Sequence, residues 1–200
     1  MLLLVFLLAP AAVAADIRIV AFGDSLTKGY NLPPTQAFPA QLERALRAKG
    51  YGVTVLNAGV SGNTTASGLA RLDRILALDP EIVIVEFGAN DVFAQFEPQE
   101  SYVNLDRILT LLRQQNIRVL LTGSRVPSGL GPDYDAAFNA IFPALAKKHR
   151  VPLYPFFLEG VAKNPKLNLL DGVHPNAEGV AMIVEGILPH VLRLLDSEDN

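Results

Sequence analysis

Two hundred residues, half of them hydrophobic, are enough for one domain with a sizeable core. A formal net charge of −3 without a basic block argues against a nucleic-acid partner. The absence of cysteine excludes disulfides, thiolate metal sites and a cysteine nucleophile.

Residues 1–8 are almost wholly apolar and run into Ala9-Pro10-Ala11-Ala12-Val13-Ala14-Ala15. An apolar stretch ending in small residues, with Ala12-Val13-Ala14 fitting the A-x-A pattern, reads as a secretory leader, although no basic residue opens it. It is too short for a permanent bilayer span. The expected organisation is a signal peptide at 1–15 and one domain over 16–200, exported and without a stable membrane anchor.

Ile17-Arg18-Ile19-Val20-Ala21-Phe22 reads as a buried strand with little polar alternation, stopping at Gly23-Asp24-Ser25. Glycine and the short polar residues favour a tight turn or a helix cap there. Residues 28–34 form a loop. Residues 39–49 carry amphipathic helix spacing, with Gly50 as a C-cap. A second strand over 53–57 leads into the small-residue loop Ala58-Gly59-Val60-Ser61-Gly62-Asn63-Thr64, and a helix is predicted over 69–78.

The most strand-like run, Ile82-Val83-Ile84-Val85-Glu86-Phe87, stops at Gly88-Ala89-Asn90-Asp91. A helix over 100–115 and a strand over 118–122 follow. Residues 124–134 are a loop with two prolines and glycines, read as an adaptable lid. The helix over 134–149 contains Pro143, a predicted kink or break. A short strand over 151–154 belongs at a sheet edge because of Pro152. The loop 167–176 precedes a last helix over 177–195. Strands alternating with helices throughout give an α/β fold: a parallel sheet with helices on both faces.

In such a sheet the carboxyl ends of the strands line one crevice. Ser25, Gly62, Asn90 and the segment Asp171-Gly172-Val173-His174 all fall there. Taken singly, each is an ordinary turn or cap; together they supply what acyl transfer needs. Ser25 is the candidate nucleophile. Of three histidines, only His174 lies in the right loop, with Asp171 three residues earlier to orient its Nδ1. The N–H groups of Ser25 and of Gly62 or Gly59, with the Asn90 amide, are candidate oxyanion donors. No further histidine accompanies Asp171 and His174 as a metal ligand set. The serine is not in a G-x-S-x-G frame, so no α/β-hydrolase elbow is expected.

Gly23-Asp24-Ser25-Leu26, Gly62, Gly88-Ala89-Asn90-Asp91 and Asp171-Gly172-Val173-His174-Pro175 resemble the four signature blocks of the SGNH hydrolases, also called GDSL esterases. The resemblance spans the chain after residue 15. It is closest to the bacterial periplasmic multifunctional thioesterase, arylesterase and lysophospholipase subgroup, through Asn57-Ala58-Gly59-Val60-Ser61-Gly62, Gly68-Leu69-Ala70-Arg71-Leu72 and Val151-Pro152-Leu153-Tyr154-Pro155-Phe156-Phe157. It implies a flavodoxin-like three-layer α/β/α sandwich with five parallel strands. It also implies a catalytic set of Ser25, Asp171 and His174, an oxyanion hole of Ser25, Gly62 and Asn90, no cofactor, and a periplasmic or secreted monomer acting on small acyl esters or thioesters. By that likeness Gly62 is preferred to Gly59.

Phe156, Phe157, Leu158, Leu167 and Leu170 are candidate lining for an acyl groove, with an apolar rim free of basic clusters. Two rivals are a carbohydrate O-acetylesterase of the same superfamily and a flavodoxin-like phosphate- or flavin-binding module using Ser25 and Thr27. The second has no use for the Asp171–His174 pair.

Overall fold

The computed structural model describes residues 16–125 and 129–197. The expected leader at 1–15 lies outside the described residues. Five strands form the sheet: β1 (Ile17–Gly23), β2 (Val53–Gly59), β3 (Ile82–Glu86), β4 (Arg118–Thr122) and β5 (Leu153–Tyr154). All pair in parallel, in the order β2-β1-β3-β4-β5. This is the doubly wound, flavodoxin-like order, whose direction of winding reverses between β1 and β3.

Side chains alternate across each strand, so every strand serves two cores. Val20 and Phe22 of β1, Val83 and Val85 of β3, and Val119 and Leu121 of β4 face one core. It is closed by α3 (Thr65–Ala70), α4 (Leu72–Leu76), α6 (Pro98–Gln114) and α7 (Pro132–His149). Ile19, Ala21, Ile82, Ile84 and Leu120 face the other, closed by α2 (Phe38–Ala48) and α8 (Ala177–Asp196). Apolar residues on both faces explain why β3 has no polar alternation. Two short helices follow strand ends: α1 (Ser25–Lys28) after β1 and α5 (Ala89–Phe93) after β3. Neither is long enough to show a helical period in the sequence.

Two expectations need correcting. The single helix over 69–78 is α3 and α4, divided at Arg71, which leaves helical geometry with φ −112°. Its guanidinium instead turns inward and donates to the carbonyls of Ala58 (2.9 Å) and Gly23 (2.8 Å) at the ends of β2 and β1. Pro143 does not end its helix: α7 is one element from Pro132 to His149. Pro143 lies on the exposed face, while Phe138, Ile141, Phe142 and Leu145 bury the other. That burial, worth roughly 1.5–3 kcal/mol per large side chain, offsets the lost hydrogen bond.

Among the described residues, no helix is long and apolar enough to cross a membrane.

Candidate active site

β1 delivers Asp24 and Ser25 to the switch point. Asp24 Oδ1 caps α1 by accepting from Leu26 N (2.9 Å), which fixes the turn on which Ser25 opens the helix. Ser25 is 8 % exposed, so its hydroxyl only reaches the surface of the crevice. The turn packs directly on β2: a Cβ at Gly59 would lie 2.3 Å from Lys28 N and 2.8 Å from Asp24 O. Only glycine allows this approach.

His174 and Asp171 come from a loop closed on itself. Asn168 bridges to Pro175, Leu169 N donates to His174 O (2.7 Å), and Asn168 Nδ2 donates to the carbonyls of Val161 and Asn164 (both 2.8 Å). Asn176 then caps α8 through Glu178 N and Gly179 N. Within this frame Asp171 Oδ1 accepts from Val173 N and His174 N (both 2.9 Å), and Oδ2 faces His174 Nδ1 at 2.8 Å. His174 Nε2 lies 2.9 Å from Ser25 Oγ. Partial burial pushes the Asp171 carboxyl up, but the bonds from His174 N, Val173 N and the imidazole outweigh it and hold the group below the ordinary carboxylate range. An ionised Asp171 requires the proton on Nδ1, leaving Nε2 free to accept from the serine hydroxyl.

Asn90 lies on α5. Its neighbour Asp91 is fully buried and accepts from Thr65 N (2.9 Å), from the Thr65 hydroxyl and from Ser101 Oγ (2.9 Å), tying α5 to α3 and α6. Asn90 Nδ2 donates to Asp24 Oδ2 (2.9 Å) and to Asn63 O (3.0 Å), so both amide hydrogens have partners inside the site. The two candidate glycines differ. Gly59 N donates to Asn57 Oδ1 (3.0 Å), whereas Gly62, at φ +79°, makes no N–H hydrogen bond among the described residues. Of the two, only the Gly62 amide is without a partner among the described residues.

A cleft of about 500 Å³ opens over these groups, lined by Leu26, Phe93, Phe156, Leu158, Ala162 and Val173 among others. A hollow of about 440 Å³ at the opposite end of the sheet, among Arg113, Arg118 and Arg150, has no nucleophile beside a histidine. Of the predicted groove residues, Phe156 and Leu158 line the cleft. Phe157 does not: it is 2 % exposed and packs edge-on against Phe38 at 5.1 Å. Leu167 packs against the α2/α8 core, and Leu170 projects fully into solvent. Two cations, Arg125 and Lys163, also line the cleft. Residues 126–128, the centre of the expected lid, lie outside the described residues.

Sequence reasoning passed over three side chains at the site. Phe93, on α5, is 61 % exposed in the cleft wall. Tyr30 stacks on His174 with ring centroids 4.3 Å apart. Glu86 is buried beside Asp24. Only Glu86 left a signal, as the one carboxylate in an apolar strand.

The profile of the GDSL-like lipase/acylhydrolase family matches residues 21–182. The chain belongs to this family. It is 38% identical over 197 residues to the thioesterase 1/protease 1/lysophospholipase L1 of Escherichia coli strain K12, covering 98% of this chain and 93% of that protein. It is 37% identical over 194 residues to an arylesterase of Vibrio mimicus, covering 96% and 97%. The crystal structure of AlinE4, an SGNH-hydrolase family esterase, superimposes with a TM-score of 0.76 at 44% identity, covering 91% of this chain and 98% of that one. This family member is a serine hydrolase with the flavodoxin-like sheet that its sequence implied.

Proposed function

We propose that this hydrolase cleaves carboxylic esters and thioesters of acyl chains through an acyl-enzyme on Ser25. The observation that carries the reading is the continuous hydrogen-bonded line from Asp171 Oδ2 through His174 to Ser25 Oγ, at 2.8 and 2.9 Å. As Ser25 Oγ bonds to the substrate carbonyl carbon, its proton passes to His174 Nε2. The carbonyl oxygen takes up negative charge among the N–H groups of Ser25 and Gly62 and the Asn90 amide. When the tetrahedral intermediate collapses, Nε2–H protonates the departing alcohol or thiol. Water then repeats the cycle on the acyl-enzyme, releasing the acid and restoring Ser25. Asp171 holds the tautomer throughout.

The names of the relatives, arylesterase and thioesterase/lysophospholipase, support aryl esters, acyl thioesters and lysophospholipids as the substrate range. The apolar cleft wall supports an acyl chain lying past Phe156 and Leu158. The composition of residues 1–15 supports action outside the cytoplasm after their removal.

The test is hydrolysis of p-nitrophenyl esters from acetate to palmitate by wild type and Ser25→Ala. Loss of nearly all activity in the variant, with medium or long chains preferred in wild type, is expected. Preference for acetate would point to an acetylesterase, and equal rates would remove Ser25 from the mechanism.

A further inference from the structure

β3 ends on a buried carboxylic acid. Glu86 is 3 % exposed and stands in register with Gly23 of β1, one residue before the fully buried Asp24. Glu86 Oε2 accepts from Thr27 Oγ1 (2.9 Å) and from Asp24 N (3.3 Å). The Glu86 carboxyl thus lies against the backbone of Asp24, and both carboxyl groups are buried at the ends of adjacent strands. Among the described residues neither forms an ion pair. Of the other charged or titratable groups around this crevice, Asp91 is held by Thr65 and Ser101, Asp171 by the His174 loop, and Arg125 and Lys163 stand at the rim, which leaves Arg71 and His174. Arg71 is engaged by the carbonyls of Gly23 and Ala58 and by Asn63 Oδ1 (2.7 Å), and His174 faces Asp24 across Ser25. Two ionised carboxylates buried side by side without a counterion each cost several kcal/mol. Burial, reinforced by the adjacent Glu86, accordingly pushes the Asp24 carboxyl well above its ordinary range, and burial pushes Glu86 up as well.

Asp24 Oδ2 is also what Asn90 Nδ2 donates to. We propose that Asp24 and Glu86 form one singly protonated pair that positions the Asn90 amide beside Ser25 through a hydrogen bond the oxyanion can replace. This rests on the reading of Asn90 as an oxyanion donor. An ionised Asp24 would grip the amide with a charge-assisted bond roughly twice as strong as a neutral one, and would set a negative charge beside the developing oxyanion. With the proton on Asp24, the amide bond is an ordinary neutral one and the charge stays on Glu86, against Thr27 Oγ1. Asp24 and Glu86 are positioning residues, and neither touches the reacting atoms.

The test combines infrared spectroscopy with kinetics on the full chain. At about pH 8, far above the ordinary carboxyl range, wild type should show the carbonyl stretch of a protonated carboxylic acid that Asp24→Asn lacks. In Glu86→Gln the second negative charge is gone and the amide of the new side chain donates to Asp24, favouring its ionised form. Its kcat per active site, titrated with an organophosphonate, should fall roughly 10- to 100-fold, short of or equal to the loss on removing a donor outright, with KM unchanged. A merely structural role lowers the titratable fraction and leaves kcat per site in place. Absence of the band in wild type, its survival in Asp24→Asn, or a kcat within about twofold of wild type in Glu86→Gln would each overturn the proposal. Ser25→Ala and Asn90→Ala report on the parent reading. If both are inactive while Glu86→Gln is not impaired, only the pair fails; if either keeps the wild-type rate, the parent reading fails and the band alone decides the shared proton.

Discussion

Replacing Asp171 by asparagine and by alanine should reverse the order of stability and of activity. Asp171 Oδ1 is held by two backbone donors, Val173 N and His174 N, while Oδ2 meets the imidazole. In Asp171→Asn the carbonyl oxygen keeps the two backbone donors, which turns the NH₂ group towards His174 Nδ1. Nδ1 must then accept, so its proton moves to Nε2, the atom 2.9 Å from Ser25 Oγ. A protonated Nε2 cannot take the serine proton. The same tautomer error in another serine-hydrolase triad lowers kcat about 10⁴-fold, or roughly 5.5 kcal/mol of barrier. Asp171→Ala leaves the imidazole free to adopt either tautomer, so it should be at least about tenfold more active than Asp171→Asn. Stability runs the other way. Asp171→Ala gives up both backbone bonds, about 1–2 kcal/mol in this half-exposed loop, whereas Asp171→Asn keeps them. Ester hydrolysis under saturating substrate and urea unfolding of the three proteins measure both orders. An Asp171→Asn enzyme as active as Asp171→Ala would refute the tautomer argument.

Tyr30→Ala should lower kcat roughly 3- to 10-fold, matching the 0.5–1.5 kcal/mol typical of a ring pair, while Tyr30→Phe stays near wild type. Equal kcat in all three proteins would show that the stack does not hold His174. Gly59→Ala forces a Cβ against Lys28 N and Asp24 O, and should cost about 1–3 kcal/mol in urea unfolding together with most of the activity, because the turn carrying Ser25 has to move. An unshifted unfolding midpoint would contradict the close packing described for this turn. The depressed Asp171 carboxyl contributes stability that is present above its unfolded value near pH 4 and lost as pH falls through the folded value. Urea midpoints below pH ~4 should therefore fall more steeply for wild type than for Asp171→Asn; parallel curves would contradict this.

Much of this protein can be read from its chain because the governing interactions are local. β3 shows as a run of β-branched residues, β4 as a short apolar run, and α2 as apolar positions recurring at helical spacing. Gly23-Asp24-Ser25, Gly88-Ala89-Asn90-Asp91 and Asp171-Gly172-Val173-His174 stand out because tight turns at strand ends need small or short polar residues, and such turns are where a parallel sheet opens its crevice. Asp171 and His174 sit within one closed loop, so their pairing needed no knowledge of the fold.

Other relations depended on residues that only the sheet brings together. Glu86 meets Asp24 across 62 positions because β1 and β3 are neighbours in the register that sets Gly23 against Glu86. Arg71 leaves its helix because the ends of β1 and β2 offer carbonyls to its guanidinium. Phe157 goes to the core and Phe156 to the cleft, although their sequence surroundings are the same. Tyr30 reaches His174, and Arg125 and Lys163 the cleft rim, only once α8 and the loops before it have docked on the sheet. Periodicity along a chain records which positions are buried. Which distant groups share that burial is decided by strand order and register, and here those contacts determine how Ser25 and the Asn90 amide are held.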